Sequence, residues 1–247
     1  IVAEDLVFFG TFAGNLRALD ADTGKEVWKV AVGAPIHHSP AYANGRVYAA
    51  TMGGKVVALE AKTGKEAWTL KAEKRGGFAA SPAVYNGMVF IGDRAGDLYA
   101  LDAATGAMKW KAELGAMIQQ SVALKDGKLA IAAEDLVPRL FDAATGKELW
   151  KHSYACPLDA KYYEGGPGST PTVEGDRVYT LSKRAHLLCL EAATGKAVWQ
   201  KNLMEELGVK KADWGFAGSP LVEGSLLLLN VGDGGTAVDK ATGKVVW

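Results

Sequence analysis

The sequence predicts an all-β protein, a β-propeller of six four-stranded blades, and three observations carry that expectation. The motif Thr-Gly followed four residues later by Trp recurs six times, ending at Trp28, Trp68, Trp110, Trp150, Trp199 and Trp247. The six copies stand 40, 42, 40, 49 and 48 residues apart. Between them lie short β-branched and aromatic runs bounded by glycine and asparagine, the pattern of hairpins. Four such strands in a unit of about 40 residues is the spacing of propeller blades.

The repeat over residues 36–70 shows each element in turn. A first, inner strand reads HHSPAYA and ends at the turn Asn44-Gly45; a second reads RVYAAT and ends at Gly53-Gly54. The third, KVVALEA, runs into the turn Lys62-Thr63-Gly64-Lys65, and the fourth, EAWTL, carries the tryptophan. Glycine after threonine supplies a left-handed backbone at little steric cost. The Asp or Glu ahead of it can bond the turn amides. An indole buries roughly 150–250 Å², which at about 25 cal/mol per Å² contributes a few kcal/mol. The six repeat tryptophans therefore read as the contact between neighbouring blades, not as a substrate platform. The first repeat starts late, because Ile1–Asp5 align with Ala41–Gly45. The whole chain, 1–247, reads as one propeller domain.

Composition excludes some functions. Lys plus Arg and Asp plus Glu number 28 each, so the formal charge is zero and no electrostatic footprint for nucleic acid exists. The longest strongly apolar run, Leu226 to Leu229, is far too short to span a bilayer. No charged segment followed by a long apolar one opens the chain, so no signal peptide is expected in it. Cys156 and Cys189 are neither adjacent nor in a Cys-x-x-Cys pair, which excludes a c-type haem site. Cys189 is expected to be buried on a strand and Cys156 to lie in a loop.

The pattern G-x-L-x-A-L-D-A-x-T-G-K-x-x-W resembles the pyrroloquinoline-quinone-like repeat family. That family includes quinoprotein alcohol dehydrogenases and BamB-like outer-membrane assembly lipoproteins. The resemblance covers all six repeats. It implies a bacterial protein, periplasmic or secreted, and it leaves two functions open. One is a noncatalytic scaffold that binds a protein partner or small ligand and needs no cofactor. The other is a dehydrogenase using pyrroloquinoline quinone with calcium. Because members usually have eight blades, the chain reads either as a closed six-bladed ring or as part of a larger propeller. The dehydrogenase reading needs cations for the quinone carboxylates, oxygen ligands for calcium and a carboxylate base. Arg75, Arg94, Arg139, Lys183 and Arg184 are its candidate cations, and Glu134, Asp135 and Asp233 its candidate carboxylates. The adjacent-cysteine disulfide of many such enzymes is absent from this sequence. The scaffold reading is therefore preferred, with no catalytic and no metal-ligating residue assigned.

Binding residues are expected where the repeat is broken. The two long spacings place insertions within Lys151–Gly168 and Gln200–Gly218, and long loops on a rigid scaffold are where binding concentrates. The first insertion holds Tyr154, Tyr162 and Tyr163. The second holds a short helical pattern and Trp214, the one tryptophan outside the repeat frame. At the starts of the inner strands most repeats carry small residues, but two carry the pairs His37-His38 and Gln119-Gln120. Alternation along a strand would send one member of each pair toward the channel. His37, His38, Gln119, Gln120, Tyr162, Tyr163, Arg184 and Trp214 are thus the candidate ligand or partner contacts. Plain polar lining and rim packing are the competing readings.

Overall fold

The computed structural model describes residues 1–73, 76–156, 169–211, 213 and 215–247. It falls into two compact units, Ile1–Ser121 and Val122–Trp247.

The first unit holds three antiparallel four-stranded sheets. They are β1–β4 (Val2–Ala3, Leu6–Gly10, Asn15–Asp20, Glu26–Ala31), β5–β8 (Ala41–Ala43, Arg46–Ala50, Lys55–Glu60, Glu66–Lys71) and β9–β12 (Ala83–Tyr85, Met88–Gly92, Asp97–Asp102, Met108–Glu113). The second unit holds β13–β16 (Ala123–Lys125, Lys128–Ala132, Pro138–Asp142, Glu148–Lys151) and β17–β20 (Thr172–Glu174, Arg177–Leu181, His186–Glu191, Ala197–Asn202). It ends with β21–β23 (Leu221–Glu223, Leu226–Leu229, Thr236–Asp239). In each sheet the strands pair in chain order. The sixth sheet has three strands rather than four. Its tryptophan segment lies along β23 through the bridge Val238–Val245 and backbone bonds from the Ala237 amide to the Trp247 carbonyl and from the Val246 amide to the Ala237 carbonyl, at 2.9 and 2.8 Å, without forming a fourth strand, and Trp247 is exposed. The expected helical pattern forms one short helix, α1 (Leu203–Leu207).

The middle strands of the second sheet, β6 and β7, are buried on both faces, because that sheet sits between the first and the third. Along β6, Val47 and Ala49 pack into a core with Phe8, Leu16 and Trp28 of the first sheet. Tyr48 and Ala50 pack the other way, with Val89, Ile91 and Tyr99 of the third. Alternate residues of one strand thus feed two cores, as the two-residue period requires.

Four of the tryptophans join neighbouring blades. Trp28 Nε1 donates to the Ala61 carbonyl at 2.7 Å and Trp68 Nε1 to that of Ala103 at 3.0 Å. In the second unit Trp150 donates to Ala192 at 3.0 Å and Trp199 to Lys240 at 3.2 Å. Each acceptor stands three residues before the Thr-Gly glycine of the next repeat. A Cβ built on Gly64, Gly106, Gly195 or Gly243 would come within 2.6–2.8 Å of an indole carbon. These glycines also have φ near +70°, so the position is closed to other residues twice over. An aromatic residue on the second strand leans on the indole of its own blade: Phe8 on Trp28 at 5.8 Å, Tyr48 on Trp68 at 5.9 Å, Tyr179 on Trp199 at 6.2 Å.

What aims the indole is a β-bulge. In the first sheet Leu19 pairs with Glu26 and Ala18 with Trp28, leaving Val27 without a partner. The same slip precedes Trp68, Trp110, Trp150 and Trp199. A bulge bends and twists its strand. It also spoils an outer edge that would otherwise be a template for strands of other chains.

Candidate functional site

Each blade has two ends. The 1–2 hairpin and the Thr-Gly turn share one; the loop between strands two and three shares the other with the connection to the next blade. The Thr-Gly end is uniform. Asp20, Asp102, Asp142 and Asp239 each accept bonds from the amide and hydroxyl of the following threonine at 2.6–3.0 Å. Those bonds hold the four carboxyls below the ordinary range. Lys109 is the largest influence on Asp102, bringing it to about 2.

The other end varies from blade to blade around one common bond. A side-chain oxygen at the start of the loop between strands two and three accepts the amide four residues on. Thr11 takes Asn15, Thr51 takes Lys55, Asp93 takes Asp97 and Ser182 takes His186, at 2.9–3.1 Å. The buried Asp93 and Asp97 in the first unit share the Tyr99 hydroxyl, and Lys111 lies 3.5 Å from Asp97. That cluster is turn architecture.

His37 and His38 lie in the connector between β4 and β5, not on a strand, since β5 begins at Ala41. Strand alternation therefore does not separate them. Both are exposed, their rings meet with His37 Nδ1 3.2 Å from His38 Nε2, and exposed Phe12 stands edge-on to His37 at 5.3 Å. Desolvation, then the His37 ring, lower the His38 pKa. Gln119 and Gln120 are half-buried in the connector after β12. Arg184 belongs to the second unit, in the loop between β18 and β19. Tyr162, Tyr163 and Trp214, with the candidate cation Arg75, lie outside the described residues.

In the second unit the variable end gathers a polar cluster. Ser182 Oγ accepts the amides of Arg184 and His186 at 3.3 and 3.0 Å, and the Cys156 thiol lies 3.8 Å away. Arg184 Nε is buried, with no hydrogen-bond partner among the described residues. Tyr154 and His186 rings stand 6.1 Å apart. Beside them a cavity of about 360 Å³ is lined by Tyr154, His186, Gln200, Lys201, Asn202 and Glu205. Burial raises the Tyr154 hydroxyl and the Cys156 thiol and lowers His186, so all three are neutral near pH 7. Cys189 is buried on β19 and Cys156 half-buried in a loop. His186, Asn202 and Glu205 are not among the sequence-predicted residues. One signal for His186 was available: it opens the third strand, the place of Asn15, Lys55 and Asp97.

Four of the eight groups proposed for a quinone site pair with one another. Arg139 grips Asp135 through both guanidinium ends, and Lys183 reaches the buried Glu134 at 3.6 Å. Among the described residues no three His, Cys, Asp or Glu side chains converge as a metal-ligand set.

Sheets of this make-up, joined indole to turn, define a propeller of quinoprotein-like repeats. Residues 13–137 and 133–247 match the family model described as outer membrane protein assembly factor BamB, and the chain belongs to that family. BamB from Moraxella catarrhalis is similar, with TM-score 0.78 and 22% identity over 98% of this chain and 70% of that one. Two quinohemoprotein alcohol dehydrogenases share the fold at TM-score 0.71 and 16% identity. They are ADHIIG from Pseudomonas putida HK5, matched over 96% of this chain, and the enzyme from Comamonas testosteroni, matched over 97%. The chain spans about half the length of those enzymes, 50% and 52%. No curated protein sequence matches it.

Proposed function

We propose that this chain is a noncatalytic propeller scaffold of the periplasm, and that it binds a protein partner or small ligand at the variable end of its second unit. The carrying observation is the Tyr154–Ser182–Arg184–His186 cluster, in which the buried Arg184 Nε has no hydrogen-bond partner among the described residues and Tyr154 and His186 line a polar cavity. Buried polar groups are almost always satisfied, and one held open on a rigid turn suits a partner's acceptor. The candidates Tyr162, Tyr163 and Trp214 fall in the same two connectors by sequence, and Trp, Tyr and Arg are the residues favoured at interface hot spots. The ion pairs of Glu134 and Asp135 support the noncatalytic assignment, because a general base must be open to its substrate. His37 and His38 in the β4–β5 connector, and Gln119 and Gln120 in the connector after β12, are the weaker contacts of this proposal on the first unit.

A photo-crosslinking residue placed at Arg184, and separately at Ala104 in a Thr-Gly turn, tests the assignment in an envelope extract. Discrete adducts from position 184 and none from 104 are expected; the reverse pattern overturns it. Dye-linked alcohol oxidation on adding pyrroloquinoline quinone and calcium would overturn the noncatalytic part.

A further inference from the structure

The cavity in the second unit is specific enough to name a ligand class. Its wall is aromatic: Tyr154 and His186, their planes 38° apart. Asn202 is another lining residue, and its Oδ1 is buried and has no hydrogen-bond partner among the described residues. Asn202 precedes α1, yet its side chain makes no capping bond, so this acceptor is left for something else. Gln200 and Glu205 add further polar groups to the lining. Charge gives no selection. Lys201 is paired with Glu206 at 3.3 Å, and Glu205 and Arg184 act on His186 in opposite directions. A ligand that fits must donate to Asn202 and Glu205, accept from Gln200 and His186, lay an apolar face on a ring, and carry no net charge. A hydroxyl group both donates and accepts. The 360 Å³ volume lies at the small end of the about 300–1,000 Å³ found for ligand pockets.

We infer that this cavity binds one or two rings of a neutral saccharide, stacked on Tyr154 and hydrogen-bonded to Asn202 and Glu205. The inference rests on the binding-scaffold assignment above and gives its site a ligand.

Saturation-transfer NMR and calorimetry on the whole chain test it, with glucose- and N-acetylglucosamine-based disaccharides as probes and N-acetyl-lysine amide as the cationic rival. At least one disaccharide should saturate at a single site. Tyr154→Ala and Asn202→Leu should each weaken it at least tenfold, Tyr154→Phe less than threefold, and Arg177→Ala at the opposite blade end not at all. Glu205→Gln separates the ligand classes, since it keeps a hydrogen-bonding oxygen and removes the charge. A saccharide should lose less than threefold, a cation more than tenfold. The inference is overturned if no disaccharide binds, if binding survives Tyr154→Ala and Asn202→Leu, or if the lysine amide binds instead. In each of those outcomes, unchanged crosslinking from position 184 leaves the scaffold assignment standing.

Discussion

The two ends of a blade are built on opposite principles. At the Thr-Gly end one joint recurs: an indole from one blade, a carbonyl and a glycine from the next, and an acidic residue closing the turn. At the other end four blades repeat a turn built from backbone bonds and an amide bonded to the side chain of Thr11, Thr51, Asp93 or Ser182, and the exposed side chains around it differ from blade to blade. Repetition marks the end where blades are held together, because any departure disturbs a packed interface. Variation marks the end where the fold tolerates whatever a ligand or partner requires.

The largest effect should come from removing a joint. Trp68→Ala deletes an indole that is 8% exposed and bonded to Ala103, and should cost ~3–5 kcal/mol as a large core truncation. Urea unfolding measures it. A loss below about 1 kcal/mol would mean that the Thr-Gly end does not carry the blade contact.

A pair of glycine replacements sharpens the same point. Gly24 and Gly106 both have positive φ, 69° and 73°, so alanine should cost ~1–3 kcal/mol of backbone strain at either. Only at Gly106 would the new Cβ strike an indole, 2.7 Å from Trp68 Cδ2; at Gly24 nothing lies within 4 Å. Gly106→Ala should therefore exceed Gly24→Ala by ~1–3 kcal/mol, the cost of overpacking. Equal losses would remove the ring from the explanation.

Acid should weaken the Thr-Gly end. Its aspartates titrate below the ordinary 3.8, Asp102 at about 2. A depressed folded pKa contributes stability that is complete above the unfolded value and disappears as pH falls through the folded one. Melting temperature should fall between about pH 4 and pH 2, and Asp102→Asn should make that fall shallower. A melting temperature flat across this window would detach the turn carboxylates from stability.

The same contrast explains what the sequence reveals. The Thr-Gly end is written six times, so blade count, strand order and tryptophan placement are legible from the residues alone. The bulge before each tryptophan is not, because Val27 and Lys109 share no residue type and the slip appears only in the pairing. The variable end is legible as a location, through the insertions, and at Arg184. Its cavity is not, because Tyr154 comes from the β16–β17 connection and His186 and Asn202 from the ends of β19 and β20, and the three converge only on folding. His37 and His38 show the opposite error: a strand period applied three to four residues before the strand begins.

The smallest expected change is the most informative about the variable end. Asn202→Ala removes a buried oxygen that bonds nothing among the described residues and caps no helix. Leaving a buried acceptor unsatisfied costs ~1–3 kcal/mol, so deleting it should leave stability within ~0.5 kcal/mol of the parent or raise it. Asp102→Ala, which removes three turn bonds at the uniform end, should destabilise. Urea midpoints of the two variants, measured side by side, make the comparison. A destabilisation by Asn202→Ala as large as that of Asp102→Ala would make Asn202 a structural residue of the β20–α1 junction. Neutral or raised stability would mark a group kept at a thermodynamic cost, and such costs collect at functional sites because local rules are broken where binding needs them broken.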